Sequence, residues 1–274
     1  MKSSARDLVA SADVEHVRYP TQLATNCSVD LMGLRLHDMP GDEIVARVVG
    51  AARAGKKMLV VNANANLVVL SQKETWLRNM FRAADIAFCD GAGVQLAARL
   101  LRVKLVNRAT PPVWVVEALA QLGSEASVFW VGGTHDAVTR AAAAYEERYG
   151  VRTAGIRDGY FDVSAGSADT LLLVDEINRA RPSILLVTMS MPRQERWLWD
   201  NWSRIDAGVA ITAGALVDHA AGTVQRPKQW VSNVGLEWAV RLYREPRRLW
   251  RRYVLGLPVF GLYILRYALG RRRN

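Results

Sequence analysis

Four segments of the 274-residue chain combine residue types able to do chemistry with a preceding apolar run that would hold them in place. In Asn62-Ala63-Asn64-Ala65-Asn66 the carboxamides can donate to and accept from a sugar or base edge, or cap a helix. In Asp90-Gly91-Ala92-Gly93 a carboxylate able to take a proton stands beside two glycines that let a backbone approach a phosphate. Gly132-Gly133-Thr134 could open a helix toward an anion, and could equally be a plain tight turn. In Ser190-Met191-Pro192-Arg193-Gln194-Glu195, Pro192 sits near a helix start, with Gln194 and Glu195 in the first turn. Asp90 is the strongest catalytic candidate of the set, against the alternative of a capping aspartate on a turn.

The sequence has no Asp-x-Asp pair and no cluster of His, Asp or Glu at ligand spacing, so neither a metal site nor a resident cofactor is expected. The dinucleotide fingerprint G-x-G-x-x-G would need glycine at position 96, which is Leu96. A nucleophile elbow and a P-loop are also missing from the sequence. Hydrolase, kinase and nicotinamide-dependent oxidoreductase readings therefore lack support.

Such residues need strands behind them. Residues 58–61, 86–89, 128–131, 184–187 and 209–212 have the continuous apolar character of strands buried on both faces. Between them, 67–83, 94–101, 113–122, 136–149, 168–179 and 194–202 have helical spacing. That alternation predicts an α/β fold, a Rossmann-like, doubly wound, mostly parallel sheet with ligands at the carboxyl ends of its strands. A flexible lead-in is expected over 1–28, the α/β catalytic domain over 29–222, and a helical, membrane-associating appendage over 223–274.

Charge gathers in that last stretch. From Arg241 onward there are ten arginines and a single acid, which account for nine of the net ten positive charges. A terminal basic cluster suits a phosphate-rich partner and not a nucleic-acid-binding body. The run 253–265 is apolar but broken by Gly256, Pro258 and Gly261, and falls short of the about 20 residues a spanning helix needs. With Trp230, Trp238, Tyr243, Trp250 and Tyr253 close by, it suits a segment lying on an anionic inner-leaflet membrane. The same surface could instead cover its own domain or a second copy in a homo-oligomer. Two cysteines, Cys27 and Cys89, and a polar start without a signal-peptide core fit a cytoplasmic protein.

Each tetrapeptide is a weak signal, whereas their order is specific. Asp90-Gly91-x-Gly93, Gly132-Gly133, Asp158-Gly159-Tyr160-Phe161, Pro192-x-Gln194-Glu195, Arg226-Pro227, Gly235-Leu236-Glu237-Trp238 with Arg241-Leu242, and Glu245-Pro246-x-Arg248 follow one another along about residues 30–260. In that order they resemble the WecG/TagA/CpsF family of glycosyltransferases. The resemblance implies an inverting, metal-independent enzyme that moves a hexose-type sugar from a UDP-sugar to a polyprenyl-diphosphate-linked saccharide. Such enzymes serve bacterial surface or exopolysaccharide synthesis at the inner face of the cytoplasmic membrane.

By the same resemblance Asp90 is the general base, and Asn62, Asn64, Gly91, Gly93, Arg108, Gly132, Gly133, Gln194, Glu195 and Arg226 surround the donor. Arg241, Arg248 and Arg251 would close over the diphosphate from the appendage, and their i, i+7, i+10 spacing puts them on one face of a continuous helix. The chain departs from the family pattern at Asn62, where many members have Thr, and at Ala109-Thr110-Pro111, in place of G-x-D. It departs again at Ser190 and Arg193, in place of Gly and Lys. These positions surround the donor, so the donor sugar is not carried over, and a non-catalytic membrane-bound scaffold is the alternative reading.

Overall fold

A computed structural model describes residues 28–221, 237–244, 246–250 and 254–271. The chain opens on an antiparallel hairpin, β1 (Ser28–Leu31) and β2 (Leu34–His37). It turns at Met32 and Gly33, both left-handed at φ 58° and 85°, as a tight two-residue turn requires. There follow α1 (Gly41–Arg53), β3 (Met58–Ala63), α2 (Ala65–Ser71), α3 (Thr75–Ala83), β4 (Ile86–Cys89), α4 (Ala92–Leu100) and α5 (Pro111–Leu122). The second half holds β5 (Ser127–Gly132), α6 (His135–Tyr149), β6 (Arg152–Arg157), α7 (Ala168–Ala180), β7 (Ile184–Thr188), α8 (Arg193–Asn201), β8 (Val209–Thr212) and α9 (Leu216–Ala220).

One eight-stranded sheet results, in the order β1-β2-β4-β3-β8-β7-β5-β6, parallel apart from the opening hairpin. The five strands expected from their apolar runs are all present and buried, because helices cover both faces. One core lies under α2, α3, α4, α7 and α8, the other under α1, α5, α6 and α9. Helices α1, α5 and α6 carry the chain toward the β6 edge across the second face. Helices α2 with α3, α7 and α8 bring it back across the first, so that each crossover keeps one hand. Local signals agree: Thr134 and Ser167 cap α6 and α7 by accepting from the Ala137 and Thr170 amides, and Pro111 opens α5. The protein is thus α/β and doubly wound, as its alternation of elements predicts.

Several elements differ from the sequence-based expectation. Residues 67–83 form two helices and not one, because the chain turns at 72–74 and Gln72 donates its side-chain amide to Met32 O of the hairpin. The hairpin, α1 and β6 were not expected; β6 is an edge strand that stays partly exposed along its length and so carries no apolar run. Past the described domain come α10 (Glu237–Arg244), α11 (Pro246–Trp250) and α12 (Gly256–Arg271). Arg241 lies on the first of these and Arg248 on the second, which Pro246, having no N–H to give, opens. Arg226, Arg251, residues 1–27 and the expected boundary near 222 lie outside the described residues.

The broken apolar run becomes helical from Gly256 on. Pro258 is the third residue of α12, where its missing N–H removes no helical bond. Phe260 and Ile264 are buried, and with Tyr263, Tyr267 and Ala268 they dock α12 on α2 and α4. Val259, Leu262, Leu265 and Leu269, with Leu255 just before the helix, remain exposed on its opposite side. Among the described residues no helix is long and apolar enough to cross a membrane.

Candidate active site

Parallel strands bring their carboxyl ends to one edge, so the residues following β4, β3, β8, β7 and β5 meet there as neighbours. Asp90 follows β4. Its amide donates to Ala63 O at 2.8 Å, one more rung of the β3–β4 ladder, which fixes its backbone. Gly91 then takes φ 127°, a conformation closed to L side chains, with no atom within 4 Å of where a Cβ would stand. The Asp90 carboxylate is half-buried, and its Oδ2 accepts from Asn62 Nδ2 at 2.8 Å. Asn62 Oδ1 accepts from Thr212 Oγ1 at 2.9 Å, and the Asn62 amide donates to the same hydroxyl at 3.2 Å. A hydrogen-bonded chain thus crosses β8, β3 and the end of β4.

Residues 101–110 lie against the same strand ends. The Ala109 amide donates to Cys89 O, and Asp38, just after β2, accepts from the Val106 and Asn107 amides. Arg108 and Asp90 both act on the Cys89 thiol. Burial first and then the Asp90 charge push that thiol up to about 12, with Arg108 opposing. Cys89 is therefore a neutral packing residue and no nucleophile. His37, at the end of β2, is buried and accepts the Ala87 amide on Nδ1 at 2.9 Å. Burial first, and the Arg35 charge after it, hold its pKa below the usual histidine value.

The remaining candidates make contacts with the scaffold around this cluster. Asn64 caps α2, accepting from the Asn66 and Leu67 amides, and donates its Nδ2 to the Met191 sulfur beyond β7. Gln194 and Glu195 are fully buried: Gln194 donates to Glu195 Oε1 at 2.7 Å and accepts from the Gly214 amide at 3.2 Å. That pair ties the start of α8 to the turn after β8. A Cβ on Gly132 would stand 2.4 Å from Thr188 Oγ1, and one on Gly133 2.8 Å from Val217 Cγ1, so both glycines are demanded by packing. The Asp158–Phe161 loop docks on this turn, with the Gly159 amide donating to Gly133 O at 2.8 Å. Arg193 holds the same loop, donating to Phe161 O and lying over the Phe161 ring.

Gly93 has a different task. A Cβ there would be 3.3 Å from Ala65 Cβ and 3.8 Å from the Phe260 ring, so α2, α4 and α12 come together at this residue. The structure thus gathers Asn62, Asp90, Gly91 and Arg108 at one end of β3 and β4, and uses Gly132, Gly133, Gln194 and Glu195 to brace the neighbouring strands. Arg241 and Arg248 are described by their helices alone. Thr212 escaped the sequence reading; its signal is a hydroxyl closing an otherwise apolar strand. No group of three His, Cys, Asp or Glu side chains among the described residues could hold a metal ion.

Residues 29–274 match the model of the glycosyl transferase WecG/TagA/CpsF family. The chain is also similar to the N-acetylglucosaminyldiphosphoundecaprenol N-acetyl-beta-D-mannosaminyltransferase of Bacillus subtilis strain 168. The two are 25% identical over 210 residues, which cover 76% of this chain and 79% of that relative. A match that begins within β1 and continues through α12 takes in the whole sheet, the Asp90 cluster and the C-terminal helices, and the chain therefore belongs to the glycosyl transferase WecG/TagA/CpsF family.

Proposed function

We propose that this glycosyltransferase is an inverting, metal-independent enzyme that moves a hexose-type sugar from a UDP-sugar to a polyprenyl-diphosphate-linked saccharide, in the synthesis of a bacterial surface or exopolysaccharide. The observation that carries this reading is Asp90, a half-buried carboxylate on an open glycine turn at the carboxyl end of a central strand. The acceptor hydroxyl oxygen attacks the anomeric carbon while its proton passes to the Asp90 carboxylate. The bond from that carbon to UDP breaks, and its electron pair leaves on the diphosphate. A single displacement inverts the anomeric centre. Arg108, with Arg241, Arg248 and Arg251 from the C-terminal segment, balances the departing charge.

The Bacillus relative is named for transfer to N-acetylglucosaminyldiphosphoundecaprenol, which supports a lipid-linked acceptor here. The exposed apolar side of α12, with Arg266 and Arg271 on that helix and Arg272 and Arg273 following in sequence, supports attachment to the inner face of the cytoplasmic membrane. Each such arginine adds about 1 kcal/mol on an anionic leaflet. The test is transfer from a panel of UDP-sugars to polyprenyl-diphosphate-linked mono- and disaccharides, with EDTA present. Transfer is expected to survive EDTA and to fall at least about 100-fold in Asp90→Asn, with UDP binding retained. An active Asp90→Asn protein removes Asp90 as the base. Absence of transfer with acceptors and membranes supplied favours a scaffold.

A further inference from the structure

We infer that Asn62 and Thr212 are positioning residues for Asp90: a buried amide and hydroxyl that set the orientation of the proton-accepting carboxylate and do not touch the donor. The inference rests on the proposed role of Asp90. Asn62 is 1% exposed and Thr212 is fully buried, so neither lies open to a sugar nucleotide. Both ends of the Asn62 amide are engaged, Nδ2 toward Asp90 Oδ2 at 2.8 Å and Oδ1 toward Thr212 Oγ1 at 2.9 Å. The alternative placement of the amide would set its oxygen against the carboxylate oxygen, so the network fixes which way it points. The hydroxyl in turn accepts the Asn62 backbone amide at 3.2 Å, which seats it on the strand whose side chain it holds.

The consequence is directional. Asp90 stands at a strand end beside Gly91, and its backbone hydrogen bond to Ala63 O fixes the main chain without setting the direction of the carboxylate. The amide of Asn62, carried by the central strand β3 and held from β8, constrains it through Oδ2. A carboxylate held in this way is ready to receive the acceptor proton without first reorienting, and a small misplacement of a catalytic group costs up to about 100-fold in rate.

The test compares Asn62→Ala, Thr212→Val and Thr212→Ser with the parent enzyme for kcat, donor KM and melting temperature, with Asp90→Asn and Asp90→Ala alongside. Asn62→Ala is expected to lower kcat about tenfold to 100-fold with donor KM within about twofold, and Thr212→Val to lower it less. Thr212→Ser, which keeps the hydroxyl, recovers most of the rate lost in Thr212→Val. Melting shifts of Asn62→Ala and Asp90→Ala fall short of additivity when combined, because the two side chains are bonded to each other. A rise in donor KM with kcat kept would make Asn62 a substrate contact and overturn the inference, as would additive melting shifts or no recovery in Thr212→Ser. An active Asp90→Asn protein overturns the base assignment itself. Non-additive melting in that case shows that the bond exists without the catalytic use.

Discussion

Two glycine turns stand at the same edge of the sheet with nearly the same φ. Gly91 follows β4 at φ 127° and Gly132 ends β5 at φ 132°. Around Gly91 a Cβ would meet nothing within 4 Å, whereas at Gly132 it would stand 2.4 to 2.6 Å from the hydroxyl, carbon and carbonyl oxygen of Thr188. The first glycine is required by conformation alone, and the space beside it is open, as the proposed function asks of a turn that admits a substrate. The second is required by conformation and by the closeness of β7. One turn is an opening and the other a joint.

The sharpest way to break this comparison is Gly132→Ala. Strain at positive φ and a clash with backbone together predict a loss of about 3 to 5 kcal/mol, read from chemical denaturation. A loss near 1 kcal/mol would mean that β5 and β7 part easily, and that Gly132 is no joint. Gly91→Ala should cost only about 1 to 2 kcal/mol, since strain is its whole penalty, yet it should reduce transfer by more than that stability loss implies. Equal damage to folding from both substitutions would erase the distinction.

Acid offers a smaller effect that separates the two sides of the sheet. His37 is held neutral by burial and by Arg35, and accepts the Ala87 amide of β4. Its folded pKa lies below its unfolded value near 6.5, so its contribution is complete above that pH and is lost as pH falls through the lower folded value. Amide exchange on β4 should therefore quicken between pH 7 and pH 5 relative to β5, and His37→Gln should flatten the difference. Equal acid sensitivity of β4 and β5 would show that His37 does not control the β4 side.

What could be read in the sequence follows from which signals a strand or a site emits by itself. The five central strands are covered on both faces and announce themselves as apolar runs; β6 at the edge and the β1–β2 hairpin do not. Asp90-Gly91 is visible because a carboxylate followed by glycine after an apolar run is a local pattern. The bond from Asn62 to Asp90 joins residues 28 positions apart, and that from Asn62 to Thr212 joins residues 150 apart, so the network exists only through strand order. For the same reason Asn64, Gln194 and Glu195 read as ligand groups in the sequence, while their hydrogen bonds in the fold run to a helix start, a methionine and a turn.

The meeting of Phe260 with Gly93 has a consequence of scale. α12 is apolar on both sides, one side seated on α2 and α4 and the other bare. Gly93 is three residues from Asp90, so the bare side stands from that turn by roughly one helix diameter, about 10 Å. The helix is a spacer of fixed thickness. Whatever rests on its outer stripe is held at a set standoff from the carboxylate, and a methyl in place of the Gly93 hydrogen would press first on Ala65 of α2, at 3.3 Å, while meeting Phe260 of α12 at an ordinary contact distance of 3.8 Å.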